Sequence, residues 1–282
     1  MRHKFLKSLS LVTLLLAGCG NLSARTTQEF SDHDPIHAIT RENGSGTRTA
    51  FMELFGLDEI NPNIMVTNAT SVVMTSVAQD VDAIGYSSLG SLNDEVKALK
   101  IDGVDASTET IKSGQYTMAR PFNIAYKEKD LSKLGQAYIN FLQSSQAAKI
   151  IEENGYVANG TGKDYFPSKL SGKLMISGSS SVAPIMEKLK EEFEKLEPDT
   201  QVIVQQSDSS SGMNDVIDGT SDIGIASREL KESELEKGLT AFAFAKDGIV
   251  MIVNMQNPND TISKDEVKKI YEKSDLTWSV LE

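Results

Sequence analysis

The stretch TSVVMTSVAQDVDAIGYSS (Thr70 to Ser88) recurs in altered form as SSSGMNDVIDGTSDIGIAS (Ser209 to Ser227). Ile84-Gly85 meets Ile223-Gly224 at an offset of 139 residues, and at that offset Met74 meets Met213, Val77 meets Val216 and Thr70 meets Ser209. A second pair lies upstream. GSGTRTAFMELF (Gly44 to Phe55) matches GSSSVAPIMEKL (Gly178 to Leu189) at an offset of 134, with Met52-Glu53 on Met186-Glu187. Two matches in the same order and at nearly equal offsets mark an internal duplication. The period is far too long for a solenoid. It predicts two similar α/β lobes facing each other, with equivalent loops converging on the gap between them.

Hydrophobic spacing fits that frame. After SGSSS, residues Val182, Ile185, Met186, Leu189, Phe193 and Leu196 fall at helical intervals. Pro184 sits in the first turn, where its missing N–H is tolerated. TQVIVQQ (Thr200 to Gln206), RPFNIAY (Arg120 to Tyr126) and DGIVMIVN (Asp247 to Asn254) read as strands. Leu131, Leu134, Tyr138, Phe141 and Leu142 mark another amphipathic helix, and Ser263 with Glu266 forms a capping box ahead of a helix carrying Val267 and Ile270. Strands alternating with helices give an α/β class, in which ligands favour loops at the carboxyl ends of strands.

Four hydroxyl-rich loops begin near Arg41, Asn68, Gly178 and Ser207, several just before predicted helices. A helix N-terminus presents unpaired N–H groups and about half a positive charge, and a Gly/Ser loop adds further donors around one oxyanion. In TRENGSGTRTAF (Thr40 to Phe51), Arg41 adds a planar cation able to give two parallel hydrogen bonds. A turn or helix cap is the commoner role for any one such serine; converging pairs of loops favour an anion socket. The formal charge of −12 argues against a nucleic-acid surface, which needs a basic patch. It also means that an anion site must work through local dipoles and placed cations.

The N-terminus, MRHKFLKSLSLVTLLLAGCG, has a basic start (Arg2, Lys4, Lys7) and an apolar run from Leu9 to Leu16 too short for a comfortable membrane span. Residues 1–18 read as a secretory signal, and their loss takes the formal charge from −12 to −15. Leu16-Ala17-Gly18-Cys19 resembles a bacterial lipobox and implies lipidation of Cys19, with residues 19–31 as a tether. Cys19 is the sole cysteine, so no intrachain disulfide or thiolate metal site can form. No cofactor and no metal site are expected.

The phrases SGSSSVAPIMEKLKEEF, SDSSSGMNDVIDGTSDIGIASREL, TRENGSGTRTAF, IGYSSLGSL and IKSGQYTMARPFNIAY together resemble the PstS-type phosphate-binding proteins of phosphate ABC transporters, over about Asp34 to Val157 and Lys173 to Glu282. The resemblance implies a two-lobed, periplasmic-binding-protein-like fold of type II, each lobe a sheet flanked by helices, with the ligand in the inter-lobe cleft. The order differs. The SGSSS phrase, usually first, follows the RENGSGT phrase here, and TWSVLE would lead into DPIHAITRENGSGT. The chain resembles a circular permutant whose usual ends are joined by GYVANGTGKDYFPSKLSGK. One lobe is then expected over 32–119 plus 254–282, the other over 120–253, with crossings near RPFNIAY and VNMQNP.

By the same resemblance, phosphate would be held by Ser180 and Ser181 of one loop, by Ser209 of another, and by Arg41, Ser45, Gly46 and Thr47 from the opposite lobe. Ser227 stands where some members carry an aspartate that accepts the proton of hydrogen phosphate, and Asn43 where many carry an acid. Asp247, Asp208 and Glu42 are substitute acceptors to consider, with Asp247 the first choice. The expected partners are inorganic phosphate, the permease and ATPase subunits of an ABC transporter, and the outer face of the bacterial membrane through the lipid; the chain is expected to be monomeric. A serine phosphoesterase is the competing class. A seryl nucleophile needs a base, and once His3 leaves with the signal only His33 and His37 remain, both beside the tether. A sensor or adhesin on the same fold, or a binder of sulfate or arsenate, are further alternatives.

Overall fold

The computed structural model describes residues 29–160, 162–273 and 275–281. The signal, Cys19 and most of the tether lie outside the described residues. The first repeat folds as β1 (His37–Arg41), α1 (Gly46–Phe55), β2 (Met65–Thr67), α2 (Thr70–Gln79) and β3 (Ala83–Ser88). Then come β4 (Val96–Ile101), α3 (Thr108–Lys112), β5 (Ala119–Tyr126), α4 (Lys133–Leu142), α5 (Ser145–Glu153) and β6 (Val157–Ala158). The second repeat folds as β7 (Ser171–Ser179), α6 (Ala183–Leu196), β8 (Asp199–Ser207), α7 (Ser209–Asp218) and β9 (Ile223–Ala226). The chain closes with α8 (Glu232–Leu235), β10 (Thr240–Asn254), β11 (Thr261–Ile262) and α9 (Lys264–Glu272).

The duplication is visible in the pairing. In the first repeat β1 is flanked by β2 and β3, both parallel to it; in the second, β7 is flanked by β8 and β9, both parallel. Each triplet is then extended by an antiparallel strand, β10 beside β3 and β5 beside β9. Parallel strands need crossover connections, and α1, α2, α6 and α7 supply them. Two large cores result. One gathers Phe122, Tyr138, Phe141, Phe193 and Phe244 with Leu174, Ile176, Met186 and Leu189. The second large one gathers Phe51, Tyr86, Tyr271 and Trp278 with Ile84, Met251, Val253 and Val267.

Strand β10 serves both halves. Thr240 to Gly248 pair with β5, whereas Ile249 to Val253 pair with β3. Ile249, Met251 and Val253 therefore pack in the core of the N-terminal repeat rather than beside Phe244 and Ala245.

The two chain ends are stitched together. Pro35 bridges Thr277, Ile36 N–H donates to the Leu276 carbonyl at 2.8 Å, and Ser279 N–H donates to the Asp32 carbonyl at 2.9 Å. The segment that joins the two repeats is tied down by buried Glu197, which accepts from Tyr165 O–H (2.7 Å), Ser168 N–H (2.5 Å) and Leu170 N–H (2.9 Å). Both ends of the rearrangement thus meet at built contacts. Among the described residues, no helix is long and apolar enough to cross a membrane.

Candidate functional site

Four strand ends aim helix N-termini at one place. β1 ends at Arg41 and leads to α1 behind Ser45, whose hydroxyl caps Arg48 N–H at 3.3 Å. β7 ends at Ser179 and leads to α6, which starts behind Val182 with no side-chain cap. β2 leads to α2 behind Ala69, also without a side-chain cap. β8 leads to α7 behind Asp208, which caps Ser211 N–H at 2.9 Å. Uncapped first turns at α2 and α6 leave N–H groups available to an outside acceptor. Gly178, at φ +133°, makes the turn before the Ser179–Ser181 loop; a Cβ there would fall 2.3 Å from the Ile225 carbonyl oxygen.

The loops interlock across the cleft. Thr47 Oγ1 lies 3.0 Å from Ser181 Oγ and 3.4 Å from Ser227 Oγ. Ser179 Oγ lies 3.1 Å from Ser181 Oγ and donates to Ser227 Oγ at 3.0 Å. Ser180 Oγ accepts from Thr70 N–H and meets Thr70 Oγ1, both at 3.3 Å. Ser209 Oγ accepts from Ser227 N–H at 3.2 Å. Gly46 is where a side chain would not fit: its Cβ would stand 2.3 Å from Ser209 Oγ and 2.8 Å from Ser227 Oγ. All these residues are buried. The eight positions expected around the ligand, namely Arg41, Ser45, Gly46, Thr47, Ser180, Ser181, Ser209 and Ser227, are brought to one cage.

Arg41 is 1% exposed. Its Nε and Nη2 form a two-bond fork to Glu42 (2.8 and 2.7 Å), and Nη1 donates to Thr70 Oγ1 at 3.0 Å. Its backbone is set by Tyr86, whose hydroxyl accepts Arg41 N–H at 3.0 Å while the ring stacks on Phe51 at 4.0 Å.

Asp247 takes a different place from the one expected of a proton acceptor. It is fully buried, and its carboxylate accepts from Arg120 Nη2 at 3.1 Å and from Gly90 N–H at 3.3 Å. Arg120, not Asp247, reaches the cage, donating from Nη2 to Ser181 Oγ at 3.3 Å. The physical reason is register: Asp247 on β10 faces Arg120 on β5, so these two buried charges neutralise each other. Burial pushes the Asp247 carboxyl up to about 6, against the pull of Arg120. Burial likewise lowers Arg120, and Asp247 opposes that shift. The other two carboxylates considered are also engaged, Glu42 by Arg41 and Asp208 by Ser211 N–H and O–H.

Sequence reading alone missed Arg120 and Thr70 as cage neighbours. For Thr70 the signal was present, since it is the repeat partner of Ser209. The described residues also bring ligand atoms of His37, Asp80 and Asp82 within 4.8 Å of one another, a grouping not foreseen. It lies at the opposite end of β1 from Arg41, where His37 Nδ1 and Asp80 Oδ2 pair at 2.7 Å.

Two lobes built from parallel triplets, joined by shared strands and meeting at polar loops, define the class of bilobed solute-binding proteins. The comparisons agree. Residues 24–146 and 166–280 match the family model described as PBP superfamily domain. The chain is 43% identical over 294 residues to phosphate-binding protein PstS 2 of Streptococcus agalactiae serotype V, covering 99% of each. It is 40% identical over 290 residues to phosphate-binding protein PstS 2 of Streptococcus pneumoniae serotype 4, covering 98% of each. The crystal structure of a phosphate-binding protein of a phosphate ABC transporter from Streptococcus pneumoniae TIGR4 superposes with a TM-score of 0.69 at 40% identity, covering 88% of this chain and 100% of that one. The chain belongs to the PstS family of the PBP superfamily. Because the two relatives align along nearly their whole length, they share its order of segments.

Proposed function

We propose that the chain is a lipid-anchored receptor on the outer face of the cell membrane that closes two lobes on inorganic phosphate and passes it to the permease and ATPase subunits of an ABC importer. The observation that carries this is the cage itself, in which hydroxyls from both lobes meet within hydrogen-bond distance beside a buried guanidinium. A tetrahedral anion suits it because the donors come from two sides and the uncapped turns of α2 and α6 add N–H groups. Separation of the lobes would expose the seat, and closure would remove the ligand from water, where each donor is worth more.

The proposed lobes are those expected from the sequence, 32–119 with 254–282 and 120–253, with the boundary in β10 moved to Gly248 because Ile249 to Val253 pair with β3; β5 and β10 then form the hinge. Anchoring rests on the lipobox at Cys19, and the receptor acts as a monomer with one ligand per chain. A catalytic reading finds no support in the geometry. Among the described residues His33 bonds Ser279 and His37 bonds Asp80, and the hydrogen-bond partners of the cage serines are hydroxyl, N–H and guanidinium groups.

Calorimetric titration of phosphate-stripped protein tests the reading. It should give saturable binding of one phosphate per chain, micromolar or tighter, with no turnover of a chromogenic phosphate ester. Absence of phosphate binding, or steady ester hydrolysis, would refute it.

A further inference from the structure

The sequence holds three Asn-Gly pairs, Asn43–Gly44, Asn154–Gly155 and Asn159–Gly160. Each is a place where the side-chain amide can be lost, because glycine lacks the Cβ that would shield its backbone nitrogen from the asparagine side chain. All three asparagines are exposed. Their restraints differ. Asn154 Nδ2 donates to the Ile150 carbonyl at 2.7 Å, and Gly155 N–H donates to the Glu152 carbonyl at 3.2 Å. Asn159 Nδ2 donates to the Ala243 carbonyl at 2.8 Å, and Asn159 N–H donates to the Phe244 carbonyl at 3.0 Å. Among the described residues, neither the Asn43 side chain nor Gly44 N–H makes a hydrogen bond.

The unrestrained pair is also the one at the cleft. The Gly44 carbonyl accepts Ser210 N–H from the opposite lobe at 3.2 Å, and a Cβ on Gly44 would fall 2.7 Å from Asp208 Oδ1. Asn43 and Gly44 stand between Arg41–Glu42 and the Ser45–Thr47 turn. The spacing of the cation from the hydroxyls therefore runs through their backbone.

We infer that Asn43 is a site of spontaneous deamidation and that its isoaspartyl product disables the ligand seat, the second half resting on the phosphate-receptor reading. The Gly44 nitrogen attacks Asn43 Cγ. The N–Cγ bond forms, the Cγ–Nδ2 bond breaks, and ammonia leaves with the Gly44 amide proton. Water then opens the cyclic imide. Cleavage of the Cγ–N bond gives aspartate. Cleavage of the bond from the Asn43 carbonyl carbon to the same nitrogen gives isoaspartate, whose main chain runs through Cβ and Cγ and is longer by a methylene. Either product adds a carboxylate between Glu42 and the contact of Gly44 with Asp208. Only the isoaspartyl form also pushes Ser45, Gly46 and Thr47 out of register with Arg41. Closure opposes the reaction, because it pins the Gly44 carbonyl on Ser210 and the attack needs that peptide free to turn.

The test is ageing of the full chain at mildly alkaline pH, followed by peptide mass spectrometry that separates isoaspartate from aspartate. Asn43 should lose its amide roughly 2- to 12-fold faster than Asn154 or Asn159, the factor that one hydrogen bond sets. Stoichiometric phosphate should slow Asn43 by a similar factor and leave Asn154 unchanged. In calorimetry of the aged chain, the fraction that binds phosphate tightly should fall in step with isoaspartate at position 43. Asn43→Gln, whose longer side chain closes the ring far more slowly, should bind as the fresh parent does and keep that binding through ageing. Conversion at Asn43 no faster than at Asn154 overturns the inference, as does full binding by chains already isoaspartyl at position 43. A fresh chain that binds no phosphate overturns the receptor reading, and the ranking of the three asparagines then decides the modification site by itself.

Discussion

Thr47 and Ser181 hydrogen-bond to each other at 3.0 Å, and they are the same position in the two repeats, 134 residues apart. A residue that contacts its own equivalent lies on the axis relating the two copies. The neighbouring contacts obey the same relation. Thr70 meets Ser180, and their repeat partners Ser209 and Gly46 approach so closely that a Cβ on Gly46 would stand 2.3 Å from Ser209 Oγ. The ligand seat is therefore the meeting point of one duplicated motif with itself, and the departures from symmetry, Arg41 above all, give it its charge.

Arg41→Ala should weaken phosphate binding by well over tenfold, measured by calorimetry. The substitution removes a buried cation and also frees Glu42, leaving an unpaired carboxylate beside the anion.

Gly46→Ala separates folding from closure. At the start of α1, alanine favours the helix by up to about 1 kcal/mol, so the melting temperature of the ligand-free protein should hold or rise. Closure should fail because the new methyl group meets Ser209 and Ser227, weakening phosphate binding roughly 5- to 150-fold. Small-angle scattering with phosphate should show the variant remaining extended where the parent compacts.

Asp247 gives the site a pH dependence. Its folded value of about 6 lies above the ordinary aspartate value of about 3.9. Its share of stability is therefore full below the unfolded value and is lost as pH rises through the folded one. As pH falls through about 6, Asp247 takes up a proton, Arg120 keeps its charge uncompensated, and anion binding tightens. Asp247→Asn should lack this change. Comparing parent and variant phosphate affinities at about pH 5 and pH 7.5 cancels the ligand's own protonation, and the difference should be several-fold.

Glu197 behaves oppositely. Burial raises its pKa, but donation from Ser168, Tyr165, Leu170 and Lys169 outweighs that, and the folded value lies below the ordinary one. Its stabilisation is thus present above the ordinary carboxylate range and lost as pH falls through the lowered value. Glu197→Gln should cost about 1–3 kcal/mol in urea unfolding at neutral pH, with the deficit shrinking in acid.

The duplication was legible because it repeats side chains at one spacing, and it fixed the order of strands and helices in both β1–β3 and β7–β9. The cage loops were legible for the same reason: they are hydroxyl-rich phrases at strand ends. The Arg120–Asp247 pair was not, because the two residues are far apart in sequence and only the register of β5 on β10 joins them. Nor did the run GIVMIVN show where β10 changes partners, since one apolar strand can serve either core. Glu197 could not be linked to Tyr165 and Ser168, because that contact depends on how the joining segment crosses the end of α6.

The seam between the chain ends permits a rearranged chain. A protein beginning near Lys169, with Leu281 joined to Asp32 and ending near Asn159, should fold with a melting temperature within about 10 °C of the parent and bind phosphate. Loss of cooperative unfolding would show that the joining segment is needed for more than connection.

A crystal structure grown with phosphate is the most direct measurement. Tetrahedral density between Arg41, the Ser45–Thr47 turn, Ser180, Ser181, Ser209 and Ser227 is the expected result. Phosphate bound elsewhere, with those loops held together by their own hydroxyls alone, would contradict the account.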